Sequence, residues 1–410
     1  MSIRLLDVSL VLVLLIQTTT LAGDWPQILG PNRDGVAAAD EIIASQWSES
    51  GPPVLWSADV GQGLAGPAVA DGVVYLFHRE GDSDILQALD LASGEIRWEY
   101  DYETTYRCGY HGDSGPRCVP VVRDARVYIF GAGGQLSCVN AETGEELWSR
   151  PTWEEFEPPE GFFGAGSTPI LVDGLVIVNV GARGAGIVAF DAATGETKWQ
   201  RTDELASYSS PVLVETGARP YVVFVTRFHL MTVVPETGEE LSAMDFGERG
   251  ATVNAASPLL MEGNVFVTAS YGIGAKLVRL NENGQLKEAW SRPDLAASQY
   301  VTPILYDGAI FSMNGRDDVG TTHLVAFDPV TGREHWSKEK FGTAAMILAD
   351  AKLVMMKTDG ELVLLDANKQ MFRQLGSHRL FAGKTRALPA LAQGRLFVRD
   401  HKQLRCVDLR

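Results

Sequence analysis

Apolar runs long enough to cross a bilayer are missing from this sequence, and so are the spacings that mark the common chemistries. The longest apolar stretch, Val8 to Ile16, falls well short of the roughly 18 residues a membrane helix needs. The histidines His78, His111, His229, His323, His335, His378 and His401 show no zinc-ligand spacing. No EF-hand-like run of oxygen ligands occurs, and no Gly-x-Ser-x-Gly turn presents a nucleophile. Asp317 and Asp318 read as a solvated hairpin tip rather than a cation site. Cysteine is scarce, and Cys108, Cys118, Cys138 and Cys406 include no adjacent pair. Positive charge is scarce too: 35 Lys and Arg stand against 52 Asp and Glu, a formal net charge of -17 with no basic stripe to offset it locally. Such a chain repels phosphate backbones and anionic headgroups, so neither nucleic acid nor direct membrane insertion is expected.

What is present begins with an export pattern. Arg4 precedes the apolar run, and Thr20 and Ala22 bracket a cleavage site, so residues 1–22 read as a signal peptide. Asp24 stands where a lipoprotein would need its acylated cysteine, and the mature protein is expected to be periplasmic or secreted, soluble and unlipidated.

From there a repeat dominates. A leading proline, alternating apolar residues, Asp-Gly, two more alternating runs, then Asp, Thr-Gly-Glu and Trp recur along nearly the whole chain. Pro67, Pro120, Pro169, Pro211, Pro258, Pro303 and Pro389 mark seven units, and Ala344 to Asp366 forms an eighth that lacks its proline. Period-two apolar runs between turn residues predict short antiparallel strands. Asp or Asn opens the closing turn by bonding its own backbone and Gly closes it, at Asp90 to Gly94, Asn140 to Gly144, Asp191 to Gly195 and Asp328 to Gly332. Trp98, Trp148, Trp199 and Trp336 follow the Gly at a fixed offset, which is what stacked sheets need to bury their faces. The last unit lacks a fourth strand, and Val54 to Ala58 is a fourth strand with no unit before it. The expected fold is therefore all-β: an eight-bladed β-propeller of four-stranded antiparallel blades, closed by the amino-terminal strand in the last blade. Residues 23–52 form an entry segment and residues 53–410 the propeller.

These units, best seen in Asp191 to Trp199, resemble the repeats of the pyrroloquinoline-quinone propeller superfamily, whose members include quinoprotein alcohol dehydrogenases and the BamB-type propellers of envelope assembly. Asp24 to Gly35 is similar to the entry segment of exported PQQ-binding-like propellers, and Gly115-Pro116-Arg117 to a recurring feature of theirs. The enzyme branch holds its quinone with Ca²⁺, an Asp base and often a disulfide between adjacent cysteines, which this chain lacks. The resemblance thus implies a non-catalytic extracytoplasmic scaffold, BamB-like in envelope assembly, with no cofactor and no metal. The alternatives are a PQQ- and Ca²⁺-dependent alcohol or sugar dehydrogenase and a carbohydrate-binding propeller.

Candidate site residues come from the loops entering the innermost strands, which border the central channel. Arg117, Tyr208, Tyr300 and Arg386 stand three positions before a leading proline, with Asn254 and Gln299 at neighbouring positions. Around one mouth they suit a carboxylate, a sugar or a protein segment; alternatively they bond nearby carbonyls and fill the channel. The insertion Tyr102 to Val119 adds Tyr110 and His111, and the stretch Trp153 to Phe163 mixes aromatic with acidic residues, either as a partner surface or as a loop anchor. Cys138 and Cys406 share a strand position with Ala88, Ala189 and Ala326 and read as small core residues, whereas Cys108 and Cys118 flank a turn and are expected to form a disulfide.

Overall fold

A computed structural model describes residues 23–110, 112–159, 161–215 and 219–410; the export pattern and His111 lie outside them. Eight four-stranded antiparallel sheets follow one another along the chain. The leading prolines each stand directly before an innermost strand, such as Ala68–Ala70, Ile170–Val172 and Ala390–Ala392. In the eighth blade the order from outside inward is Val54–Asp59, Gln403–Asp408, Arg395–Arg399, Ala390–Ala392. The closing strand pairs Val54 with Val407, Trp56 with Cys406 and Ala58 with Leu404. The ring is closed by its own two ends, which removes the open sheet edge that a linear array would expose.

The repeated turn and the repeated Trp form one joint between blades. In the turns opened by Asp90, Asn140, Asp191 and Asp328 the side-chain oxygen accepts two amides, those of Ala92 and Ser93 at Asp90 and of Ala193 and Thr194 at Asp191. The closing glycines take positive φ, +73° at Gly195. The indole of the preceding blade lies over that glycine, and a Cβ on Gly195 would meet Trp148 at 2.7 Å. The indole N–H then donates to a carbonyl of the neighbouring blade's turn: Trp56 to Leu91, Trp98 to Ala141, Trp148 to Ala192, Trp199 to Pro235, Trp290 to Pro329 and Trp336 to Asn368, all at 2.9–3.1 Å. The residue across the ladder from the Trp is small at Ala88, Cys138, Ala189, Ala326 and Cys406. Cys138 and Cys406 are fully buried there, as their strand position implied. Trp56 belongs to the closing strand, so the eighth blade docks on the first by the same joint as the others.

The entry segment lies along the propeller axis. Asp24 and Glu41 touch first-to-second-strand turns of the first and eighth blades, at Asp71 and at Gln393 and Gly394. Between them Trp25 pairs with Val69, Val122 donates to Pro26, and Leu348 donates to Gly35 while accepting from Ala37. Arg33 is 4 % exposed and donates to the carbonyls of two leading prolines, Pro169 and Pro211 (2.9 Å), and to Gln27. Burial, with the charge of Arg123, lowers its pKa to about 9, so it remains a cation at neutral pH. One short segment thus bonds inner strands on opposite sides of the ring and fills the channel from the end that carries the first-to-second-strand turns.

Candidate functional site

The opposite end of the ring carries the connectors between blades and the hairpins joining second to third strands. A hydroxyl ladder runs around it beside the leading prolines. Val119 N–H donates to Thr168, Thr168 N–H to Ser210, Ser210 N–H to Ser257 and Ser257 N–H to Thr302, with lengths of 2.9–3.3 Å. Each of these hydroxyls thereby satisfies the amide before the proline of the preceding blade, which is what buried backbone amides require.

The residues singled out from sequence divide among several neighbourhoods on this face. Arg117 turns back on its own loop, donating to the carbonyls of Gly115 and Asp113 and lying 3.6 Å from the Asp113 carboxylate. Asn254 is buried, and its amide donates to the carbonyls of Thr226, Arg227 and Phe246. Tyr208 accepts from the Phe163 amide at 2.7 Å and meets the Phe163 ring edge-on. Tyr110 is exposed and stands edge-on to Phe162 at 5.0 Å. Gln299 donates to Tyr271 and accepts from the Asp317 amide. Arg386 pairs with Asp317 at 2.8 Å beside Tyr300, whose hydroxyl pKa is raised by burial and by the Asp317 charge. Arg386 borders a cavity of about 380 Å³ with Asp317, Asp318 and Asp359.

Tyr110, Tyr208 and Asn254 come together at a larger cavity of about 770 Å³ over the third to fifth blades. Two arginines that the sequence reading passed over share its wall. Arg227 and Phe228 form the second-to-third-strand hairpin of the fourth blade, and Arg249 belongs to the following connector. The Arg227 guanidinium lies 4.6 Å and that of Arg249 5.8 Å from the Phe228 ring. Arg227 Nη2 donates to the Gly250 carbonyl, Nη1 is buried without a partner, and burial lowers the group's pKa below its ordinary value. The available signal was Thr226-Arg227-Phe228-His229, a hairpin tip with no glycine where the first, second, third, fifth and seventh blades carry one. The stretch Trp153 to Phe163 is anchored by its aromatics: Trp153 covers Gly134 and meets Tyr106 edge-on, and Phe156 packs on Phe190.

The expected bridge between Cys108 and Cys118 is not formed, and all four thiols are free. Cys108 donates to the Phe162 carbonyl at 3.6 Å, while Cys118 is buried in the core with Val121 and Tyr128. Asp113 closes the turn between them instead, accepting from the amides of Gly115 (2.8 Å) and Gly63 (2.9 Å) and pairing with His401 of the eighth blade at 3.1 Å. Burial opposes ionisation of Asp113, but the hydrogen bonds from His401, Gly115 and Gly63 and the Arg117 charge outweigh it and hold its pKa at about 2.

His78 lies beneath this junction, fully buried, with Nδ1 accepting the Gly61 amide at 2.9 Å. Burial and the Arg399 charge push its pKa down to about 4, so at neutral pH it is uncharged and its 3.9 Å approach to Glu80 is not an ion pair. A histidine depressed in the fold contributes stability that is complete above its unfolded value near 6.5 and is lost as pH falls from there toward 4. The loss is on the order of 3 kcal/mol. Urea melts at pH 7 and pH 4.5 are expected to show it, with His78→Gln flattening that interval; an unchanged slope in the variant would refute the assignment.

A ring of eight four-stranded blades joined by Trp-on-turn contacts, with its connectors on one face, defines a propeller of the pyrroloquinoline-quinone-repeat class. The family model for outer membrane protein assembly factor BamB matches residues 83–338, and the chain belongs to that family. It is 29% identical over 191 residues to a quinohemoprotein alcohol dehydrogenase of Comamonas testosteroni, covering 43% of this chain and 25% of that protein. To the outer membrane protein assembly factor BamB of Yersinia pestis it is 30% identical over 173 residues, 42% of this chain and 40% of the other. The chain thus spans less than half the length of these relatives. Two solved structures share its fold: BamB of Moraxella catarrhalis (TM-score 0.63, 15% identity, 87% of this chain and 98% of that one) and a europium-containing methanol dehydrogenase (TM-score 0.68, 13% identity, 92% and 89%).

Proposed function

We propose that this protein is an exported, non-catalytic binding propeller that holds its ligand on the connector face, in the cavity over the third to fifth blades. The observation that carries the reading is that cavity: about 770 Å³, within the range of ligand sites, walled by aromatic rings and two arginines, one on a blade hairpin and one on a connector. The chemistry of the donor set supports it further. Among the described residues no three His, Cys, Asp or Glu side chains gather where they would hold a metal ion, and the described residues lining this cavity include no Asp or Glu to ligate Ca²⁺. Also among the described residues, no helix is long and apolar enough to cross a membrane; the export reading rests on the Met1 to Ala22 pattern.

The rival reading, a quinone-dependent dehydrogenase, rests on the alcohol dehydrogenase relatives. Incubation of the purified protein with pyrroloquinoline quinone and Ca²⁺, followed by gel filtration and dye reduction with alcohols and sugars, separates the two. The expected result is no retained quinone absorbance and no reduction above the blank. Stoichiometric retention with substrate-dependent turnover would replace the binding reading by the enzymatic one. An envelope-assembly role, which the family name offers, is compatible with the first outcome only.

A further inference from the structure

Resting on the binding reading, we infer that the cavity over the third to fifth blades takes a carboxylate-bearing saccharide, with Arg227 and Arg249 on the carboxylate and aromatic faces on the sugar rings. The chain is acidic overall, yet the described residues lining this cavity include two arginines and no Asp or Glu. The charge those two arginines bring to the cavity wall favours an anionic occupant. Arg227 is poised for that charge: one nitrogen is fixed on the Gly250 carbonyl while the buried Nη1 has no partner. A guanidinium with a free, desolvated edge is the standard partner of a carboxylate.

Two further observations choose a sugar over a peptide. A bound peptide must satisfy its own amides and carbonyls, usually by adding to a free strand edge. The strand reaching this cavity, Leu175–Ala182, pairs with Ala185–Asp191 on one side, and beyond its short ladder with Ile170–Val172 its cavity end is covered by the connector, where Ser207 N–H donates to Asn179 and Ala206 packs on Gly181. A sugar has no such ladder to satisfy and needs flat apolar surfaces and isolated polar partners instead. Tyr110, exposed at the rim, and Phe162 in the wall supply the first. The buried Asn254 Oδ1, without a protein partner, is an acceptor suited to a ring hydroxyl. With about 770 Å³ available, the site has room for more than one sugar ring.

Calorimetric titration of the purified protein with tetragalacturonate, its neutral methyl ester and tetraglutamate tests this. Tetragalacturonate is expected to bind, the neutral ester about tenfold or more weaker, and tetraglutamate not measurably. Arg227→Gln and Arg249→Ala are each expected to weaken the uronate about tenfold, the scale of one lost charge-assisted hydrogen bond. Arg249 is exposed, so its variant carries little risk to folding. Equal binding of acid and ester would remove the role of the arginines. Arginine-dependent binding of tetraglutamate alone would replace the saccharide by an acidic peptide, and binding of none of the three would overturn the site. None of these results bears on quinone retention, which alone decides whether the propeller is an enzyme.

Discussion

A chain cut after Gln403 is expected to lose its cooperative melt rather than shift it. The removed residues form nearly all of the strand that joins Arg395–Arg399 to Val54–Asp59, so the amino-terminal strand is left with no neighbour. Leu404, Cys406, Val407 and Leu409 are all essentially fully buried. At about 1.5–3 kcal/mol for each large side chain taken out of water, their loss approaches the whole stability of an ordinary domain. The Trp56 contact with Leu91 goes with them, because Trp56 is held opposite Cys406. Circular dichroism and calorimetric melts check this: a truncated protein that unfolds at the parent temperature would mean that the ring does not depend on its closing strand.

Replacement of Arg33 by Ala is expected to have the next largest effect, although the residue is not among those lining the candidate cavity. The variant leaves the carbonyls of Pro169 and Pro211 facing an empty axis, and Gln27 loses its partner. Two charge-assisted hydrogen bonds at about 1.5–3 kcal/mol each predict a loss of about 3–6 kcal/mol. Arg33→Lys, which keeps a charge but cannot span two acceptors in one plane, is expected to fall between the two. Chemical denaturation of the three proteins measures the order, and an Ala variant as stable as the parent would show that the segment merely rests in the channel.

The repeat made the ring legible because the residues that build it act locally. An Asp that caps its own turn, a Gly at positive φ and an alternating apolar run each state their structure within a few positions. The Trp joint was legible as well, since its small cross-strand partner recurs at the same place in blade after blade. The site was less legible, because its residues sit where the repeat breaks down. Arg117 and Tyr208 share an offset from their prolines, but one connector is a long insertion and the other is short. Equal offsets therefore do not give equal directions: Arg117 curls back on Asp113 and Tyr208 reaches Phe163. The same reason undid the cysteine pair, for spacing along a loop does not fix where Sγ points. Arg227 and Arg249 went unnoticed since neither occupies a recurring position. The axial course of residues 24–37 has no periodic signal at all, being a coil in which Leu29, Gly30, Arg33 and Gly35 take positive φ.

The account makes one segment of the chain the seal of one channel end and leaves ligand binding to the other. Hydrogen exchange followed by mass spectrometry tests that division directly. Peptides covering residues 24–37 are predicted to exchange as slowly as the inner strands, since Trp25, Gly35 and Ala37 donate to buried carbonyls or lie between them. Peptides from the connectors around Tyr110, Phe162 and Arg249 are predicted to exchange fast and to slow when ligand binds. Rapid exchange throughout residues 24–37, with the inner strands still protected, would contradict the seal and with it the assignment of binding to a single face.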